Sequence, residues 1–232
     1  MTPRKPSFSE DKYNHQEILQ YDDIPLPHWT KHYFSSEKNN MTGHDDNDNN
    51  QKNKTRLEVH EWDKDDYESF HYREKGGWMG TDFIHSRSSA VRILTYFADF
   101  GGGNDCHNNI TLEGIVYFSP AAESHAGYCH GGSMCAIFDD VIGWCGFIAT
   151  GKCLPWSGFT AQINTSLKRP VKVGSVLLIR AKIKKRQGRK VWIDCALVDP
   201  SPATVDGVVV DSGEEVVHAC GDGLFIMKKD VE

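Results

Sequence analysis

The chain has 232 residues, 39% apolar and 25% charged, with a formal net charge of -6. That length carries one sizeable domain with an extension, or two small ones. The acidic balance disfavours bulk binding to nucleic acid or an anionic membrane, and no apolar run is expected to reach the ~18–20 residues of a membrane span.

Taken in chain order, Met1-Thr2-Pro3-Arg4-Lys5-Pro6 holds no secretory apolar segment. Acids at Glu10 and Asp11 weaken a mitochondrial leader. The seven Cys are odd in number and form no Cys-x-x-Cys pair, which fits a reducing compartment and mostly buried free thiols. A cytoplasmic location is expected, with a mitochondrial one as the alternative. Residues 1–30 read as a poorly ordered lead with a Pro-bracketed anchor, Ile24-Pro25-Leu26-Pro27-His28-Trp29, whose Trp29 docks on the main body. Residues 39–54 are rich in Asn, Asp and Lys and almost free of apolar residues, so they read as a disordered loop. Asp46, Asp48 and Asn50 do not make a calcium loop. Gln51 stands where the turn needs Gly, and Leu57 where the bidentate Glu belongs.

A polar helix carrying Leu57, Trp62, Tyr67 and Phe70 is expected over residues 56–76. The texture changes at Ala90, which divides an irregular, partly helical extension (1–90) from a domain (91–232). Val91–Phe97 and Leu112–Phe118 read as strands, with Gly101-Gly102-Gly103-Asn104-Asp105 between them as a hairpin turn. That glycine run opens no helix, so it is not a phosphate loop. Residues 131–149 read as one helix, because Met134, Ile137, Phe138, Val141, Cys145 and Ile148 recur at helical spacing. Strands follow at Phe159–Leu167, Ser175–Lys185, Lys190–Val198 and Glu215–Met227, the last after a long connection through Asp206–Gly213. No β-α-β alternation appears, so the class is α+β. One long apolar helix wrapped by an antiparallel sheet is the hotdog arrangement.

The chemistry concentrates at Cys129-His130-Gly131-Gly132-Ser133. Two glycines there allow close backbone approach, and a helix start offers unpaired N–H groups at the positive end of its dipole. Asp139, two and a half turns on, is a carboxylate in an apolar helix, costly without work or a partner. Asp140 competes with it, and periodicity does not choose between them. The combination points to acyl-transfer or thioester chemistry. Cys129, His130, Cys135, Asp139 and Cys145 lack zinc-type spacing, so neither metal nor cofactor is expected. No Gly-x-Ser-x-Gly elbow supports a Ser nucleophile.

His130-Gly131-Gly132 with Asp139 nine positions on, Thr160, Leu167-Lys168-Arg169-Pro170 and the hairpin Lys184-Lys185-Arg186-Gln187-Gly188-Arg189-Lys190 resemble the phenylacetate-type hotdog thioesterases. Within them the chain is similar to the eukaryotic acyl-CoA thioesterases of the thioesterase superfamily member four and five kind. The resemblance covers residues 91–229, and more weakly the Pro-x-Pro-x-Trp anchor and the helix expected after it. It implies an acyl-CoA substrate, with Asp139 as general base or nucleophile and the Gly132 N–H, with that of Gly131, holding the oxyanion. His130 shapes the turn or polarises the carbonyl. Thr160 holds the carboxylate or the water. Lys168, Arg189 and Lys190 hold coenzyme A phosphates, and Ser166 and Asp194 fall on ligand-contact positions although their residue types differ from those of the relatives.

Residues 130 and 139 lie ~13 Å apart along one helix. If both act on one thioester, they come from two helices in antiparallel contact, so a homodimer or a dimer of dimers is expected. Two rivals remain. A hotdog hydratase needs an Asp-x4-His pair, but Trp144 and Cys145 stand five residues after Asp139 and Asp140. A non-catalytic acyl-CoA or protein-binding module is opposed by the intact Asp139.

Overall fold

The structure is a computed structural model. It describes residues 24–35, 55–57, 83–84, 89–99, 110–151, 157–200, 203–205, 208–210 and 215–229. The expected loop at 39–54, the Gly101–Asp105 turn and most of the expected 56–76 helix lie outside these residues.

One long helix, α2 (Gly131–Ala149), lies against a seven-stranded sheet. The strands are β1 (Thr55–Leu57), β2 (Val91–Asp99), β3 (Thr111–Phe118), β6 (Gly158–Leu167), β7 (Val176–Gln187), β8 (Lys190–Asp199) and β11 (Val216–Met227). Their order across the sheet is β1-β2-β3-β7-β8-β11-β6, with every neighbouring pair antiparallel. This is the hotdog fold, α+β as its sequence suggests. Between β3 and α2 come a 3-10 turn (Pro120–Ala122) and a small hairpin, β4 (Glu123–His125) with β5 (Tyr128–Cys129).

The expected helical stripe is the core: Met134, Ile137, Phe138, Val141, Cys145 and Ile148 are all buried. α2 is long and apolar enough to cross a membrane by length and composition alone, which amends the expectation that no such run exists; it is mostly buried against the sheet, as the core helix of a folded domain is. Side chains alternate across each strand. Tyr96, Val116, Ile179 and Ile193 therefore join the helix-side core. Close approach of helix and sheet depends on Gly146 and Gly158. A Cβ on either would come within 2.4 Å of the Phe225 ring.

The other face of the sheet has its own small apolar cluster. Leu94, Phe97, Ile115 and Val176 are covered by Ile24, Leu26, Trp29 and Tyr33. Trp29 docks there as expected, and the segment ends in a short helix, α1 (Thr30–Ser35), that the sequence did not announce. Tyr33 meets Phe97 at 5.3 Å between ring centroids.

Two elements differ from expectation. Residues 56 and 57 lie in β1, paired with Phe97 and Tyr96, so the predicted helix does not begin there. An edge of the sheet offers these residues a ladder that local propensity does not foresee. The connection before β11 contains a second hairpin, β9 (Ala203–Val205) with β10 (Val208–Val210), where only a loop was expected. The β-branched run Val208-Val209-Val210 suits a strand.

Candidate active site

The turn into α2 is tightly specified. His130 is the N-cap, and its ring Nδ1 accepts the N–H of Gly132 at 2.8 Å. Accepting there leaves the proton of the neutral ring on Nε2. The His130 carbonyl accepts from the Ser133 N–H (2.9 Å) and from Ser133 Oγ (2.6 Å). The His130 N–H donates to Ala122 O at 2.8 Å, and the Cys129 N–H to Val171 O at 2.9 Å. Neither glycine of the turn has a positive φ. Space is tight at both: a Cβ on Gly132 would meet the His130 Nδ1 at 2.9 Å, and one on Gly131 would meet Leu167 Cδ1 at 2.7 Å and displace the tip of that half-exposed side chain.

This refines the oxyanion assignment. The Gly132 N–H already serves the His130 ring, so a ligand reaches it only when that ring turns aside. No hydrogen bond of the Gly131 N–H is found among the described residues.

The two acids separate cleanly in space. Asp139 is exposed. Asp140 is half-buried, and its Oδ2 accepts the hydroxyl of Tyr96 at 2.7 Å. Tyr96 is fully buried, and desolvation together with the Asp140 carboxylate raises its pKa well above the ordinary value. One acid thus ties the helix to β2 while the other faces outward. Nothing in the sequence pointed to Tyr96 as the deciding partner, because the contact spans 44 residues.

Thr160 lies beside Asp139, but not as foreseen. Its hydroxyl is 3.5 Å from the Asp139 backbone oxygen, at the limit of a hydrogen bond, and no bond to the carboxylate is present. Gly143 faces the same strand, and a Cβ there would only reach ordinary contact with Thr160 Oγ1, at 3.9 Å.

The basic hairpin is largely committed within the chain. Lys184 pairs with Asp194 at 3.2 Å, and Lys185 lies 5.2 Å from the Trp192 ring centre. Arg186 donates to Ala149 O at 3.0 Å, which caps the end of α2. Arg189 donates to Met227 O at 3.0 Å. Gly188 takes the left-handed conformation (φ 58°) that the tight turn requires. Arg189 and Lys190, with Gln187, Trp192 and Ile226, line an open cleft of about 400 Å³.

The expected phosphate contacts do not converge within one chain. Lys168 is bonded to His218 near the start of β11, and Arg189 to Met227 at its end. Nine residues of strand separate those ends by ~25–30 Å. Lys168 instead sits beside the His130–Gly132 turn, through Leu167 on Gly131. Ser166 and Asp194 lie on the face of the sheet away from α2, where Asp194 holds Lys184 and Asn164 donates to Asp222 at 3.0 Å. Among the described residues no three His, Cys, Asp or Glu side chains converge to offer a metal site.

Residues 126–205 match the thioesterase superfamily model. The bovine (Bos taurus) acyl-coenzyme A thioesterase THEM4 is 34% identical over 107 residues, 46% of this chain and 37% of the relative. The mouse (Mus musculus) acyl-coenzyme A thioesterase THEM5 is 28% identical over 185 residues, 69% of this chain and 68% of the relative. The chain spans about a third of the length of the THEM4 relatives it matches. The crystal structure of zebrafish thioesterase superfamily member 2 is 16% identical, covers 68% of this chain and 93% of its own, and has a TM-score of 0.41. The match runs from the turn of the β4–β5 hairpin through residue 205, so this stretch, α2 and β6–β8 included, is similar to the thioesterase superfamily.

Proposed function

We propose that the chain is an acyl-CoA thioesterase that hydrolyses fatty or aromatic acyl-CoA to the free acid and coenzyme A. The observation that carries this reading is the division of labour between the acids. Asp139 stands exposed on a helix that begins with the His130-Gly131-Gly132 turn, while Tyr96 holds Asp140. The activity named for the relatives supports it.

In this reading the thioester carbonyl lies at the start of α2. The Gly131 N–H, and the Gly132 N–H once the His130 ring gives it up, receive the developing oxyanion. A single such donor typically contributes ~10²–10³ in rate. Asp139 takes a proton from water, whose oxygen adds to the carbonyl. The C–S bond then breaks, and coenzyme A leaves as the thiol. Direct attack by Asp139 gives the same products through an anhydride. Label in the Asp139 carboxylate after a single turnover in ¹⁸O-water identifies the second route with water opening the anhydride at the Asp139 carbon, an outcome the first route does not give.

The site is completed by a second copy of the chain. One copy supplies His130–Gly132 and Lys168, and the other supplies Asp139, Thr160, Arg189 and Lys190. The ~13 Å between residues 130 and 139 and the ~25–30 Å between the ends of β11 support this division. β6 is the last strand of the sheet, with Phe159 and Leu167 about half exposed, and offers an edge for the partner.

The test is thiol release across a panel of acyl-CoAs of rising chain length, with aromatic thioesters included. Turnover that depends on Asp139 supports the reading. No turnover on any member overturns it.

A further inference from the structure

β11 carries one residue too many at His218. Val217 pairs with Val198 and Ala219 with Leu197, so His218 stands opposite no residue of β8. On the other side, pairing with β6 begins at Ala219 and Leu167. A bulge of this kind turns the extra residue's groups out of the regular ladder. Here they are all used on one segment. The His218 carbonyl accepts the N–H of Lys168 (2.8 Å) and that of Arg169 (3.0 Å). Its ring Nδ1 lies 3.0 Å from the Pro170 oxygen. A carbonyl oxygen only accepts, so Nδ1 carries the proton.

One bulge residue thus fastens three successive residues of the segment that leaves β6. The next residue, Val171, is buried and accepts the Cys129 N–H at the entrance to α2. The segment is therefore clamped between β11 and the catalytic turn, while the side chains of Lys168 and Arg169 are exposed. Neither cation belongs to an ion pair among the described residues.

We propose that His218 is a positioning residue for the nucleotide end of the substrate: it fixes the Lys168–Pro170 backbone so that Lys168 and Arg169 meet coenzyme A phosphates. This rests on the acyl-CoA reading above. A loop held in its binding conformation loses less freedom when the ligand arrives. Freeing it weakens phosphate contacts that persist through the reaction, so affinity falls and turnover does not.

The experiment uses the full chain with His218→Ala, His218→Phe and His218→Asn. Phe keeps the ring's bulk without the donor, and reads out the same bond should the Ala variant fail to fold. In Ala and Phe variants, KM for acyl-CoA and Kd for free coenzyme A should rise about three- to tenfold, the effect of one lost hydrogen bond. kcat, and hydrolysis of an N-acetylcysteamine thioester that lacks the nucleotide, should stay near wild type. Asn, whose side-chain N–H stands in for Nδ1–H, should restore most of the affinity. In a Lys168→Ala, Arg169→Ala background the His218 change should add nothing. Unchanged affinity in the Ala or Phe variant, an equal loss on the nucleotide-free thioester, or an additive loss in the charge-free background overturns the positioning role. Failure of the underlying reading looks different: Lys168→Ala, Arg169→Ala then leaves coenzyme A affinity unchanged, or the wild-type chain neither binds coenzyme A nor cleaves its thioesters. Either result removes the role of His218 as well.

Discussion

Replacing each adjacent acid in turn separates chemistry from structure at neighbouring positions. Asp139→Asn leaves an exposed amide of nearly the same shape, so the change in stability should stay within ~0.5 kcal/mol. Turnover should fall ~10²-fold or more, the usual worth of a positioned general base. That fall corresponds to ~2.7 kcal/mol on the barrier. Asp140→Asn keeps an oxygen to accept the Tyr96 hydroxyl but loses the charge that strengthens the bond. It should cost about 1 kcal/mol of stability and leave most of the activity. Tyr96→Phe removes this donor and with it the hydrogen bond that ties the half-buried carboxylate to β2. A loss of ~1–3 kcal/mol is expected, which lowers Tm by ~2–12 °C in a chain of this size. Thiol-release kinetics on an acyl-CoA substrate and thermal melts of the three variants give both quantities. If Asp140→Asn abolishes turnover while Asp139→Asn spares it, the division of labour is wrong, and the Tyr96 bond must then be read as part of the catalytic apparatus.

Chains inactivated by Asp139→Asn and chains inactivated by Gly132→Pro should regain partial activity when mixed, because one of the two sites in each hybrid keeps both groups; a fully active monomer in sedimentation would refute shared sites. Lys168→Ala and Arg189→Ala should raise KM for acyl-CoA with little change in kcat, and the effect should shrink at high salt; equal losses on a nucleotide-free thioester would show both residues to be structural. Gly146→Ala should destabilise by ~1–3 kcal/mol, because its Cβ would lie 2.2 Å from Phe225, and a wild-type melting temperature would contradict that contact. Burial pushes the thiols of Cys145 and Cys195 up to about 12 and that of Cys129 to about 11, from an ordinary 9.0. The unfolded chain therefore loses these protons first, so the stability they contribute is intact below pH 9 and declines as pH rises toward 12. Thermal melts between pH 7 and pH 11 should show a falling Tm above pH 9, and a flat profile would contradict buried thiols.

Local pattern was enough for the long elements. The stripe from Met134 to Ile148 specifies a buried helix wherever it sits, because its period of 3.6 leaves only one way to hide those side chains. The four strands after it were legible to within a residue or two, since each is rich in apolar or β-branched residues and is bounded by Gly, Pro or charge. The His-Gly-Gly turn and the acid nine residues on were legible too, because motif spacing is a property of the chain. What only the tertiary structure decided was which groups are already taken. Asp139 and Asp140 are neighbours in sequence with the same chemistry; Tyr96, far away on β2, claims one of them. The basic hairpin reads as one patch of charge, yet its cations are drawn to Asp194, Trp192, the end of α2 and the Met227 carbonyl. Lys168 and Arg189 read as partners at one ligand, and the length of β11 holds them apart within the chain. A sequence shows the donors and acceptors that a site has available. How they are used depends on contacts between distant residues, which form only when the sheet closes around the helix.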